Sequence, residues 1–196
     1  MRGSASRQAA RAAASCGPKS DSWISAGCSS ISARNRLVRL RNAIVAAWEQ
    51  IVAALVKRSE AMAAVADAVR EPLAAESGTL QALADADAKQ RAAADGVRLA
   101  RARIADVSLW VGAEAGLASP ASRLRALIEL QPALMHESDK GPQLAAALAA
   151  WREAEPRIQF ARQGFNDAVD LYNKAIHQVP TRLIASPLGF RSAGRV

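Results

Sequence analysis

The feature that most constrains the fold is one apolar stripe near the end of the chain, between residues 157 and 179. Its members recur at steps of three and four, the spacing of one face of an α-helix. Pro180 ends the pattern, because proline cannot donate to the helical ladder and disfavours helix in the residue before it. So long a stripe must be covered by other helices of similar length. Its members are Ile158, Ala161, Phe165, Ala168 or Val169, Tyr172, Ile176 and Val179.

An earlier segment supplies one such helix. It begins near Ser32 or Asn35 and continues for roughly forty residues, or about 60 Å, until Pro72 ends or kinks it. The apolar spacing is interrupted only at Arg58, whose long side chain we expect to extend to solvent. The chain is rich in alanine, the best helix former, and only 4% aromatic, which also favours an all-α fold.

The middle of the chain predicts a second long helix from Thr79 to about Leu117 and a short third one over residues 121–130, after Pro120. The last helix begins at Pro142 and contains Pro156, where we expect a kink or a restart. Three long helices and one short helix, joined by short connections, predict an all-α fold: an elongated antiparallel bundle.

The positive charge is concentrated at the start of the chain. Residues 1–41 hold eight Lys or Arg and one Asp, whereas the other residues hold 18 bases and 17 acids. Residues 1–33 are rich in Ser, Ala, Gly and Arg without periodicity, so we predict a disordered basic tail there. The bundle domain is predicted over residues 34–190 and a short tail over residues 191–196. No apolar run approaches the roughly 20 residues of a membrane span, and residues 1–30 lack the apolar core of a signal peptide.

Four arginines form the sharpest charge feature, and two interpretations of them stay open. They could contact an anionic surface, at about 1 kcal/mol per basic residue beside an anionic leaflet. They could equally be the solvated start of a helix. The four are Arg34, Arg36, Arg39 and Arg41.

No set of residues with catalytic or metal-binding spacing is present in the sequence. The only histidines are His136, predicted in a loop, and His177, predicted near a helix C-terminus where a cation suits the dipole. Neither has partners at the spacing of a metal site or a catalytic triad, and no nucleotide-binding loop occurs. We therefore predict no cofactor, no metal and no enzymatic activity.

Two asparagines flank the apolar stripe of the last helix. Asn166 follows Phe165 and Asn173 follows Tyr172, so the two amides lie seven residues, or two turns, apart. We expect them to hydrogen-bond between helices and fix the register of the bundle, in preference to forming a binding surface.

The chain resembles the LemA family over residues 34–190, most specifically at its two ends. The segments that carry the resemblance are Asn35–Asn42, Ala47–Trp48, Lys57–Arg58, Arg157–Arg162, Phe165–Val169, Tyr172–Asn173, Pro180, Leu183–Ala185 and Leu188–Phe190.

The resemblance implies an antiparallel bundle of long helices, a bacterial source, no established enzymatic activity, and a membrane helix directly before the Asn35 segment. This sequence departs from that pattern because residues 10–33 are small and polar. The chain is therefore either a soluble variant or one whose start is truncated or altered. Residues 63–67 and the Glu76-Ser77 pair also replace family motifs, so any site built on those motifs is in doubt.

Two functions from different classes are consistent with the sequence. The first is a non-catalytic scaffold that binds other proteins, membrane-associated by resemblance, with its bundle in the cytoplasm. The alternative is a peripheral binder of anionic surfaces, lipid or nucleic acid, through the basic arm of residues 1–41. Recognition of a specific nucleic-acid sequence is not expected, because the charge of the body is nearly balanced.

Overall fold

The computed structural model describes residues 21–136, 138–178 and 190–196, with side chains from residue 32 onward. Within these ranges the fold is all-α and contains no strand, which confirms the predicted class. The elements are α1 (Asp21–Val69), a 3-10 helix (Ala74–Glu76), α2 (Ser77–Leu99), α3 (Ile104–Glu129), α4 (Ala133–His136) and α5 (Gly141–His177).

The long helices form two closely packed antiparallel pairs, α1 with α5 and α2 with α3. The pairs face each other across large side chains in the core. Trp48 of α1 meets Trp110 of α3 and Phe165 of α5 edge-on, with ring centroids 5.2 Å apart in both cases. Such edge-to-face contacts stabilise aromatic clusters beyond their burial alone. The earlier part of α1 shares one core cluster with the second half of α5, and the end of α1 shares the other cluster with the start of α5, so this pair is antiparallel, as predicted. The same two clusters join the end of α2 to the start of α3 and the start of α2 to the end of α3.

The middle of the chain differs from the predicted single helix between Thr79 and Leu117. The chain reverses after Leu99, and the bundle has four long helices where the sequence predicted three. Arg101 and Ala102 make the turn with φ angles of 53° and 58°, a conformation that side chains other than glycine adopt rarely. No glycine or proline marks the reversal, so the sequence gives no local signal for it. Packing stabilises the turn, because Ala102 is buried in the core.

Two prolines lie inside helices rather than at their boundaries. Pro120 was predicted to begin a third helix but lies within α3, and Pro156 lies within α5, which does not restart there. Each proline removes one backbone donor. The buried faces nonetheless continue across Pro120, where Leu117 precedes it and Leu124 follows it in the same core cluster. We attribute the continuity of both helices to this packing, since tertiary contacts routinely override local propensity.

Helix α1 begins at Asp21, earlier than the predicted start at Ser32 or Asn35, and ends at Val69 before Pro72, as predicted. The predicted disordered tail of residues 1–33 is therefore wrong for residues 21–33, whose backbone is helical. Adding residues to an existing helix costs no new nucleation, which explains the extension. The remainder of that prediction, residues 1–20, lies outside the described residues.

Candidate functional site

A basic pocket lies at the end of the bundle where α1 passes the α2–α3 turn. Arg34 and Arg41 are two helical turns apart on one side of α1, and Arg101 projects from the turn. These three arginines line one cavity of about 400 Å³, with Asn42 beside them. Its apolar wall is formed by Val38, Val45 and Phe190.

The structure thus divides the four arginines predicted as a group. Arg34 and Arg41 line the pocket, whereas Arg36 and Arg39 are exposed and do not line it. Residues two and five positions after Arg34 are rotated by about 200° and 140° around the helix axis, which explains the division. The sequence did not indicate Arg101, because its approach depends on a turn that carries no local signal.

The pocket is electropositive. Within the described ranges, no carboxylate lies within ion-pair distance of Arg34, Arg41 or Arg101. Neighbouring arginines do have such partners: Arg98 meets Asp95 and Arg103 meets Asp106, each at 3.2 Å. The Arg41 guanidinium lies 5.9 Å from the centroid of the Phe190 ring, within cation–π range. The three arginine charges therefore face the cavity without a counter-charge among the described side chains.

The two predicted asparagines hold the C-terminal segment, residues 190–196, against α5. The Asn173 amide donates to the carbonyl of Ala193 at 3.1 Å and accepts from its N–H at 3.0 Å. Asn166 makes the same pair of bonds with the main chain of Val196, at 2.8 and 2.9 Å. We name this arrangement the asparagine clasp. The prediction that these amides hydrogen-bond to another helix is therefore wrong. Both amides pair with the main chain of an extended segment instead.

The opposite edge of the C-terminal segment is held by the α2–α3 turn. The N–H of Gly194 donates to the carbonyl of Ala102 at 3.1 Å, and Ala193 forms a single antiparallel bridge with Arg103. A Cβ at Gly194 would lie 2.9 Å from the Cα of Ile104, so glycine allows this close approach. The segment thus connects α5 to the turn and positions Phe190 in the wall of the basic pocket.

A layer of polar residues divides the core into two apolar clusters. Phe165 and Tyr172 belong to the first cluster, at the end that contains the basic pocket; Trp151 belongs to the second. On each long helix, a buried or half-buried polar residue lies between the members of the two clusters. These residues are Arg58 of α1, Gln90 of α2, Glu114 of α3 and Glu155 of α5.

Arg58 is only 4% exposed, so the prediction that its side chain extends to solvent is wrong. Its two terminal nitrogens donate to the two carboxylate oxygens of Glu114, at 2.6 and 2.7 Å, and Glu155 lies 3.8 Å away. Burial lowers the pKa of Arg58, but the hydrogen bond and charge of Glu114, with the charges of Glu155 and Asp87, outweigh it, and the net pKa is raised. The guanidinium therefore stays charged within the core.

Gln90 completes the layer from α2 and is fully buried. Neither polar atom of its side-chain amide has a hydrogen-bond partner among the described residues. One turn earlier, Asp87 accepts a hydrogen bond from Ser59, the neighbour of Arg58. One turn later, the carbonyl of Ala94 accepts from Trp48 at 3.1 Å. Along the bundle axis, Gln90 therefore lies between the height of Arg58 and the height of Trp48 on α1.

The histidines occupy ordinary positions. His136 is the exposed last residue of α4, a short helix where the sequence predicted a loop, and His177 ends α5 near the predicted C-terminus.

In residues 21–136, 138–178 and 190–196, no three His, Cys, Asp or Glu side chains are grouped to hold a metal ion. Over the same ranges, no helix contains an apolar stretch of the length that a membrane span requires.

The fold and its polar features define an all-α protein, a four-helix bundle closed at one end by an extended C-terminal segment. The family model described as LemA family matches residues 47–195, most of the chain. The chain therefore belongs to the LemA family. Arg101 and Phe190 of the basic pocket lie inside the matched residues, while Arg34 and Arg41 precede them. No curated protein matches the chain.

Proposed function

We propose that this LemA family protein is a non-catalytic docking protein that attaches to an anionic lipid surface through the basic end of its bundle. The observation that carries the proposal is the convergence of Arg34, Arg41 and Arg101 on one cavity without a described acidic partner. The sides of the bundle remain available to protein partners in this arrangement. The proposal assigns no reaction to the chain.

The chemistry of the pocket favours a lipid over a nucleic acid. Arginine is well suited to phosphate, because its planar guanidinium binds two oxygens at once. Here the arginines lie beside the apolar side chains of Val38, Val45 and Phe190. A phospholipid presents phosphate next to hydrocarbon, which matches this pairing. Binding of single-stranded nucleic acid instead calls for a basic groove along the backbone with aromatic residues for base stacking.

Flotation of the full chain with vesicles tests the proposal. Vesicles of phosphatidylcholine with phosphatidylglycerol should recover the protein, vesicles of phosphatidylcholine alone should not, and added salt should weaken recovery by screening. The double variant Arg34→Gln/Arg41→Gln should lose most binding. Arg36→Gln/Arg39→Gln is the matched control, because it removes the same charge from the same helix outside the pocket.

Equal losses in the two double variants would show that charge alone governs binding and would contradict the role of the pocket. Recovery on neutral vesicles, or recovery insensitive to salt, would contradict the electrostatic basis of the proposal. A gel-shift titration with RNA and DNA decides the alternative ligand. Nucleic-acid binding that depends on Arg34 and Arg41, without vesicle binding, would replace the lipid by a nucleic acid.

A further inference from the structure

The outer face of the α1–α5 pair carries a groove and an exposed aromatic ring side by side. The groove has a volume of about 690 Å³ and is floored by small residues, and a Cβ added at Gly164 would meet nothing within 4 Å. At its rim, Phe160 is 79% exposed. The small residues of the floor are Ala47, Ala53, Ala54, Ala161 and Gly164.

We propose that this face binds a second copy of the chain, with the two α5 helices antiparallel across a two-fold axis. A two-fold interface uses the same patch on both partners, so it must carry both a projection and its receptor. This face carries both: Phe160 of each copy would insert beside Gly164 of the other. The inference is independent of the basic pocket, because no residue of that pocket lines the groove.

Charge complementarity supports the same register. Arg157 lies three residues before Phe160, and Asp167 lies three residues after Gly164. In an antiparallel pair that opposes Phe160 to Gly164, Arg157 of one copy is therefore opposite Asp167 of the other. Because i, i+3 and i+7 positions share a helix face, all four residues are on the groove side of α5. The two-fold axis makes this charge pair twice.

Both charged residues are accessible for such a contact. The Arg157 side chain is 61% exposed, and its partner in the structure is Glu153 one turn away on the same helix. Exposed ion pairs of this kind contribute little to stability, so Arg157 can leave Glu153 for a new partner at little cost in free energy. Asp167 is exposed and makes no ion pair within the described part of the chain. The face also continues to Leu171, which is 58% exposed.

Analytical ultracentrifugation of the full chain over a wide concentration range, with reductant to keep Cys16 and Cys28 as thiols, should show a reversible monomer–dimer equilibrium. Phe160→Ala should weaken it at least about tenfold, the loss typical of an aromatic anchor. Leu109→Ala, at a 69% exposed site on α3, is the control and should leave the equilibrium unchanged. A monomer at every concentration, or a dimer unaffected by Phe160→Ala, would overturn the proposal.

Charge exchange tests the register. Arg157→Asp and Asp167→Arg should each weaken the dimer, because each brings like charges together twice. The double variant Arg157→Asp/Asp167→Arg restores opposite charges and should recover most of the affinity. Circular dichroism should show equal helix content in all three variants. A double variant as weak as the single ones would refute the antiparallel register.

Discussion

The Arg58 guanidinium on α1 donates through both terminal nitrogens to Glu114 on α3, at 2.6 and 2.7 Å, across the interior of the bundle. The pair lies between the two apolar clusters of the core. Sliding α1 by one turn against α3 would separate the charges and leave Arg58 buried without its partner. We therefore expect the ion pair to favour the observed register of the two helix pairs over registers that would separate its charges.

Removing one member of this pair should be far more damaging than removing both. We expect Glu114→Leu to lower the free energy of unfolding by about 3 kcal/mol, because it removes both short hydrogen bonds of the buried Arg58 charge and leaves it only the more distant carboxylate of Glu155, 3.8 Å away. The double variant Arg58→Met/Glu114→Leu should recover most of that loss, since an apolar layer replaces the ion pair. Urea denaturation followed by circular dichroism measures both variants.

The control for this pair is Glu60→Leu, since Glu60 forms an exposed ion pair with Lys57 at 2.8 Å on α1. Its loss should change the free energy of unfolding by less than about 1 kcal/mol. A double variant at least as unstable as Glu114→Leu would show that the layer contributes through contacts other than the ion pair.

The polar layer of the core was only partly predictable from the sequence. Arg58 interrupted a regular apolar stripe, so its position was visible, but its burial was not. Whether such an arginine reaches solvent or pairs inside depends on the residue opposite, and Glu114 is 56 positions away in the chain. Gln90 lay in a helix where alanine makes the apolar stripe weak, so no break in the stripe was detectable there.

The helices themselves were largely predictable, and the connections were not. The stripes of α1 and α5 are strongly periodic, and Pro72 ended α1 close to where expected. The turn at Arg101 and Ala102 was missed because both residues adopt left-handed backbone without glycine. That turn brings Arg101 to the pocket, so the predicted arginine site was incomplete for the same reason.

The asparagine clasp should hold the C-terminal segment as a local unit. Asn173→Ala removes both bonds to the main chain of Ala193, and we expect a loss of about 1–3 kcal/mol in the stability of that segment. Hydrogen exchange at the Ala193 amide should accelerate accordingly, while amides in the centre of α3 stay protected. Asn166→Ala should act in the same way at Val196. Unchanged exchange at both amides would show that the segment is held by other contacts.

Two glycine substitutions should have opposite effects. Gly194→Ala would bring a methyl group 2.9 Å from the Cα of Ile104 and 3.0 Å from the Cβ of Val107. We expect a loss of about 1–3 kcal/mol from overpacking. Gly116 lies inside α3 with open space around its Cα, so Gly116→Ala should stabilise the protein by about 0.5–1 kcal/mol. Thermal and urea unfolding measure both. An equally stable Gly194→Ala variant would argue against the close approach to Ile104.

Tyr172 should titrate at a higher pH in the folded protein than in the unfolded chain. It is the only tyrosine, so tyrosinate absorbance reports on it alone. Burial raises its pKa, while the positive charge of Arg41 opposes the shift. In strong denaturant it should titrate near the ordinary value of about 10, and in the native protein above that value. Arg41→Gln should raise the native pKa further, because it removes the charge that favours tyrosinate.

The same shift predicts how stability changes at alkaline pH. The folded state keeps the Tyr172 proton at pH values where the unfolded chain has lost it. The contribution to stability is therefore complete below the unfolded pKa of about 10 and is lost as the pH rises through the folded pKa. Tyr172→Phe cannot ionise, so its free energy of unfolding should fall less steeply with pH in that range. The free energy of unfolding of the original chain and of Tyr172→Phe is measured by urea denaturation across this pH range. Two curves with the same slope would show that ionisation of Tyr172 is not linked to folding.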